Sequence, residues 1–286
     1  MGALIIGSSE PRVGRSTIAA ALAYRLAREG KPVTLARLGG DESASADARA
    51  FASLEYLRAP DRAVTDEDLV PLVAAGDLII EAPPGDVSAV ASKLNARVID
   101  VRSPWSKPLD GAQGAIVAGA PPDQIAATSA ERGVLAVLPE DRALAAPSAA
   151  DIAAALNARW LVEGDARDAL GRVMIGTVAS DAASPYFEAR DRKCVITRYD
   201  KTDIQLAALL TDMELLVLTG GGEPSPYLLD RVASTRDDVS VLLTEHGTVD
   251  AMRSIEGLFG RSRFEGQGKL ERAVALLDEA ELSIDL

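Results

Sequence analysis

The segment GSSEPRVGRST, residues 7–17, joins an apolar run, ALIIG, to a helix-like stretch, RSTIAAALAYRLAREG. Gly7 and Gly14 permit close backbone approach, a helix start offers unsatisfied N–H groups, and Ser16 and Thr17 bring hydroxyls. Together these residue types bind phosphate: amides at a helix N-terminus cradle the anion, a basic side chain meets its terminal group and a hydroxyl meets magnesium. The spacing departs from the strict pattern. Ser9 stands six residues before the basic position, where glycine is expected, and that position holds Arg15 instead of lysine. A planar guanidinium cannot repeat the compact approach of an ammonium, so the exchange alters the grip. An ordinary strand-to-helix turn also carries glycine and serine, and both readings stand.

A second group lies in CVITRYDKTDIQLAALLTDMELLVLTGGGEPSPYLLDRV, residues 194–232. Asp200 and Lys201 follow one strand-like run, and Thr219, Gly220 and Gly221 follow another. Thr202 or Asp203 would cap the intervening helix, with Lys201 projecting at the strand's carboxyl edge. The two loops would line a small anion or nucleotide pocket; equally, the acids would cap a helix while the glycines let two elements pack.

Other chemistry-bearing residues are sparse. Glu81 ends the run DLIIE and is either a magnesium contact or a solvated strand-end carboxylate. Asp41, Glu42 and Asp47 follow the second strand and could approach a cation or substrate, but a run of acids after a Gly-Gly turn usually reads as a solvated loop. His246, in TEHGT, reads as a turn residue, Cys194 as a core residue, and Trp105 and Trp160 as packing at domain edges. With one cysteine and one histidine, neither an internal disulfide nor a Cys/His zinc site is expected.

The elements that position these groups alternate strand and helix, the signature of an α/β fold with a mostly parallel sheet. KPVTLARLG, DLIIEAP, RVIDVRS, GAIVAG and GVLAVLP read as buried strands. TDEDLVPLVAAG and SAADIAAALNA read as helices capped by Thr65 and Ser148. The pattern loosens over 157–172, and a fresh alternation begins with RVMIGTVA, which divides the chain into domains at 1–156 and 157–286. The last stretch, GKLERAVALLDEAEL, predicts a helix suited to packing on a neighbour or on another copy. A net charge of -13 and a pI near 4.7 oppose binding to nucleic acid or an anionic membrane surface. The absence of a basic leader and of an apolar stretch near ~18 residues predicts a cytoplasmic chain that does not span a membrane.

GSSEPRVGRST, DLIIEAPPG and GVLAVLPEDRALAAPSAADIAAAL, in that order, resemble the dethiobiotin-synthetase-like P-loop domain at the N-terminus of long bacterial phosphate acetyltransferases and in shorter stand-alone relatives. The resemblance implies that Gly7, Gly14, Arg15, Ser16 and Thr17 surround the phosphates of ATP or another nucleotide. Ser16 and Glu81 would then stand at its magnesium. Arg37 and Ala118 depart from it, standing where such relatives often carry lysine and asparagine. The stretch at 194–232 resembles the DRTGG domain, with Asp200, Lys201, Thr219, Gly220 and Gly221 at the signature positions and Lys201 in place of arginine. That implies a small α/β DRTGG domain after a P-loop-type one. The expected function is regulatory, sensing a nucleotide or small metabolite without the acetyltransferase catalytic domain, as a homo-oligomer with a metabolic enzyme as a further partner. The alternative is an ATP- and magnesium-dependent ligase or ATPase resembling dethiobiotin synthetase.

Overall fold

Apolar runs without polar alternation must be covered on both faces, which is the condition of a strand inside a parallel sheet. The computed structural model, which describes residues 2–164, 170–176 and 180–284, places six such runs side by side. They are β1 (Ala3–Gly7), β2 (Val33–Arg37), β3 (Asp77–Glu81), β4 (Arg97–Arg102), β5 (Gly114–Ala120) and β6 (Val134–Pro139). Their order is β2-β3-β1-β4-β5-β6 and every pairing is parallel. Helix Arg15–Arg28 buries Ile18, Ala20, Leu22 and Ala23 and packs against helix Gln267–Glu279. Side chains of Ile5, Leu78, Ile80 and Val98 meet Leu69 and Val87, in and just ahead of the helices Asp66–Ala75 and Ser88–Leu94.

A second sheet holds β7 (Arg159–Val162), β8 (Arg172–Ile175), β9 (Lys193–Arg198), β10 (Met213–Thr219) and β11 (Ser240–Thr244), in the order β7-β11-β10-β9-β8. β8 to β11 run parallel, and β7 joins β11 antiparallel at the edge. Alternate side chains serve opposite layers, as period 2 dictates. Cys194, Ile196, Leu215, Val217 and Leu242 meet Ile152, Ala251 and Ile255 on one face. Val195, Leu216, Leu218, Val241 and Leu243 meet Ile204, Ala208, Leu228 and Val232 on the other.

The fold class is therefore as the alternation predicts, but the division differs. One compact unit comprises Met1–Asp141 and Phe264–Leu286, and the other Arg142–Arg263. Helix Ala149–Ala155 goes with the second unit because Ile152 and Leu156 pack beneath β9, β10 and β11. Helix Gln267–Glu279 goes with the first because its apolar side covers helix Arg15–Arg28. Of the loosened stretch at 157–172, residues 165–169 lie outside the described residues. The acidic run after Gly40 is a helix, Glu42–Ala52, with Asp41 accepting from the Ala44 N–H at 2.6 Å. Trp105 is 68% exposed and so is not packed as predicted, while Trp160 stands on edge strand β7. Among the described residues, no helix is long and apolar enough to cross a membrane.

Candidate functional site

In the first sheet β1 runs on to β2, beyond β3, while its other neighbour β4 runs on to β5. The two connections part at the carboxyl ends of β1 and β4, the position where open α/β sheets leave a crevice. Residues 8–14 issue from β1 at that point and lead into helix Arg15–Arg28, with Gly14 at its N-cap in the left-handed region, φ 91°. A Cβ on Gly14 would lie 3.8 Å from the Ala118 Cβ on β5. Ser8 Oγ donates to the Glu10 carbonyl, Ser9 Oγ to the Lys107 carbonyl at 2.5 Å, and Ser106 Oγ to Glu10 Oε2 at 3.0 Å. Hydroxyls and a carboxylate therefore brace the loop, and its amides do not take part. Among the described residues, no backbone N–H from 8–17 donates to a protein acceptor.

Glu10, Pro11 and Arg12 are exposed, whereas the basic side chain that ends the loop is turned inward. Arg15 is 8% exposed and donates through Nη1 to the Ala82 carbonyl. Burial lowers its pKa, and the opposing charge of Glu81 only partly offsets this. Ser16 Oγ donates to Glu81 Oε1 at 2.7 Å. Glu81 is 1% exposed, so the solvated reading does not hold. Its Oε2 faces Arg37 Nε at 3.4 Å without a hydrogen bond. Arg37 is 7% exposed, with Nε 3.2 Å from Asp47 Oδ2 and Nη1 donating to the Leu38 carbonyl. Burial pushes the Glu81 carboxyl above its ordinary range, opposed by Arg37, the Ser16 hydroxyl and Arg15. Gly7 lies at the end of β1, level with Asp100 on β4.

This donor set does not fit magnesium. The small divalent cation needs oxygens free to converge octahedrally at about 2.0–2.1 Å. Here one Glu81 oxygen accepts from Ser16 and the other already faces a guanidinium. Among the described residues, no three His, Cys, Asp or Glu side chains form a group able to hold a metal ion.

The second predicted site is assembled at the carboxyl ends of β9, β10 and β11. Asp200 pairs with Arg198 through two bonds, 3.0 and 2.9 Å, and this hydrogen-bonded guanidinium holds its carboxyl below the ordinary range. Lys201 is exposed at the N-cap of helix Thr202–Leu209, and neither Thr202 nor Asp203 caps it. Thr219 Oγ1 donates to the Thr197 carbonyl at 3.2 Å and lies 2.9 Å from Thr248 Oγ1. Gly220 and Gly221 take positive φ, 93° and 69°, and their N–H groups donate to the His246 and Thr244 carbonyls, each at 3.0 Å. These two amides therefore serve packing. At Gly222 a Cβ would meet the Tyr199 ring at 2.2 Å, so the ring rests on bare backbone.

Two buried side chains at these sites escaped sequence reasoning. Asp100 is 1% exposed, accepts from the Leu109 N–H at 3.1 Å and leaves Oδ1 without a partner. Gln205 Nε2 donates to the Arg198 and Tyr199 carbonyls at 2.7 and 3.1 Å and so ties down the loop bearing Asp200. Only the place of the first in the carboxyl half of β4 and of the second in the first turn of helix Thr202–Leu209 hint at these roles.

Residues 151–258 match the DRTGG domain, a match wholly within the second unit. A solved structure, "Crystal structure of the CBS and DRTGG domains of the regulatory region of Clostridium perfringens pyrophosphatase complexed with activator, diadenosine tetraphosphate", is 21% identical to this chain. It aligns over 42% of this chain and 51% of its own, about half its length, with a TM-score of 0.37. By the family match at 151–258, the second unit of this chain contains a DRTGG domain.

Proposed function

We propose that this chain is a regulatory protein that binds a nucleotide or related phosphorylated metabolite on the loop 8–17 and relays the bound state through its DRTGG domain. The supporting observation is the set of backbone N–H groups at 8–17 that, among the described residues, no protein acceptor engages, at a helix start and at the parting of two crossover connections. Such groups favour an anion by both hydrogen bonding and the helix dipole. The loop keeps this backbone cradle while Arg15 turns its side chain onto Ala82. The competing ligase or ATPase reading asks Arg15 to reach a terminal phosphate and Glu81 to hold magnesium, and both side chains are engaged with protein. Binding without turnover suits the arrangement better, since phosphoryl transfer needs donors aimed at the transferred group. Self-association and a metabolic enzyme as recipient of the signal belong to the same proposal.

A thermal-shift screen of the whole chain against ATP, AMP, NADH, cyclic dinucleotides and diadenosine tetraphosphate tests it. A ligand at ~100 times its Kd stabilises by ~2.7 kcal/mol, a rise of several degrees for a chain of this size. One class should give a saturable rise with no product formed. Flat melting curves for all, with flat calorimetric titrations, would overturn the proposal.

A further inference from the structure

Resting on the reading of loop 8–17 as an anion cradle, we propose that it takes a polyphosphate without a divalent cation, because Arg37 already stands at the carboxylate that a metal would use. The backbone register aligns Arg37 on β2, Glu81 on β3 and Ile6 on β1 across the sheet, at the strand ends from which the loop departs. Glu81 is thereby enclosed: Ser16 Oγ at 2.7 Å on one oxygen, Arg37 Nε at 3.4 Å from the other, and Arg15 bonded to the adjoining Ala82 carbonyl. The surrounding charge comprises two guanidinium groups, Arg15 and Arg37, against two carboxylates, Glu81 and Asp47, the latter 3.2 Å from Arg37. That set is balanced before any ligand arrives.

A metal ion entering beside Glu81 would meet a fixed positive charge in a desolvated setting, where repulsion is far stronger than in water. Arginine keeps its charge at every accessible pH, so this counter-charge cannot be titrated away. The loop amides, which engage no protein acceptor among the described residues, offer hydrogen bonds to phosphate oxygens that do not require a bridging cation. Ligand chemistry of this kind is shared by nucleoside polyphosphates and inorganic polyphosphate.

Calorimetric titration of the whole chain with ATP and with inorganic tripolyphosphate, in excess EDTA and again in excess magnesium, separates the outcomes. The expected result is binding of at least one of the two in EDTA, with an affinity within about threefold of that in magnesium. Arg37→Met, which keeps the bulk and removes the charge, should weaken binding in EDTA by about tenfold or more. Glu81→Gln, which leaves both arginines charged, should retain it, and this variant decides the matter should Arg37→Met fail to fold. Binding seen in magnesium alone would overturn the inference and leave the cradle standing. Binding in neither condition would overturn the cradle itself.

Discussion

Asp100 lies on β4 level with Gly7, buried, with one carboxylate oxygen unpartnered. Burial raises its pKa, and the Leu109 N–H and Arg102 only partly oppose the shift. The folded chain therefore holds this proton more tightly than the unfolded chain does. Stability tied to that proton is complete below the ordinary carboxylate range and is lost as pH rises through the raised folded value. Asp100→Asn removes the loss, so the variant should gain on the parent as pH climbs through that window in urea unfolding at stepped pH. A difference between the two that stays constant with pH would contradict this. Gly222 carries a second residue-scale expectation. Gly222→Ala puts a Cβ into the Tyr199 ring and should cost about 1–3 kcal/mol in denaturant unfolding, as overpacking typically does. A neutral result would mean that the ring moves aside freely.

Helix boundaries set by local chemistry were open to reading, because the cap and its partner lie within one turn of each other. Ser148 accepts from the Asp151 N–H at 3.1 Å while Asp151 reaches back to the Ser148 N–H at 3.1 Å, a reciprocal cap at the start of helix Ala149–Ala155. Ser148→Ala should cost about 1 kcal/mol, measured by the shift in the urea midpoint. At helix Asp66–Ala75 the Asp68 carboxylate reaches back in the same way, accepting from the Thr65 N–H at 2.8 Å and from the Thr65 hydroxyl at 3.0 Å. Strands were equally plain, since apolar runs bounded by turn residues have few alternatives. What sequence could not carry was the pairing of side chains from separate elements. Arg15 reads as the grip of a phosphate loop until β3 brings the Ala82 carbonyl to it, and Glu81 reads as a metal ligand until β2 brings Arg37. Asp47, expected in a solvated loop, sits on a helix whose turn carries it to Arg37. The glycines after β10 were recognised, but their amides proved to be satisfied by the end of β11, a contact that sequence spacing does not reveal.

Across the whole chain, the two compact units explain why the final helix matters to the beginning of the sequence. Leu270, Val274 and Leu277 are buried within the first unit, where helix Gln267–Glu279 covers helix Arg15–Arg28 and Asp278 pairs with Arg25 at 3.2 Å. Leu277→Ala should destabilise that unit by about 2–5 kcal/mol, the usual cost of a cavity, read from hydrogen exchange of residues 15–28 against residues 193–219. Protection lost equally in both stretches would contradict the assignment of the helix to the first unit. If the backbone of residues 8–17 receives an anion, amide chemical shifts of nitrogen-labelled protein titrated with ATP should report it residue by residue. Saturable shifts concentrated on the N–H groups of residues 8–17 are expected. Shifts absent from that loop, or confined to residues 199–248, would contradict it.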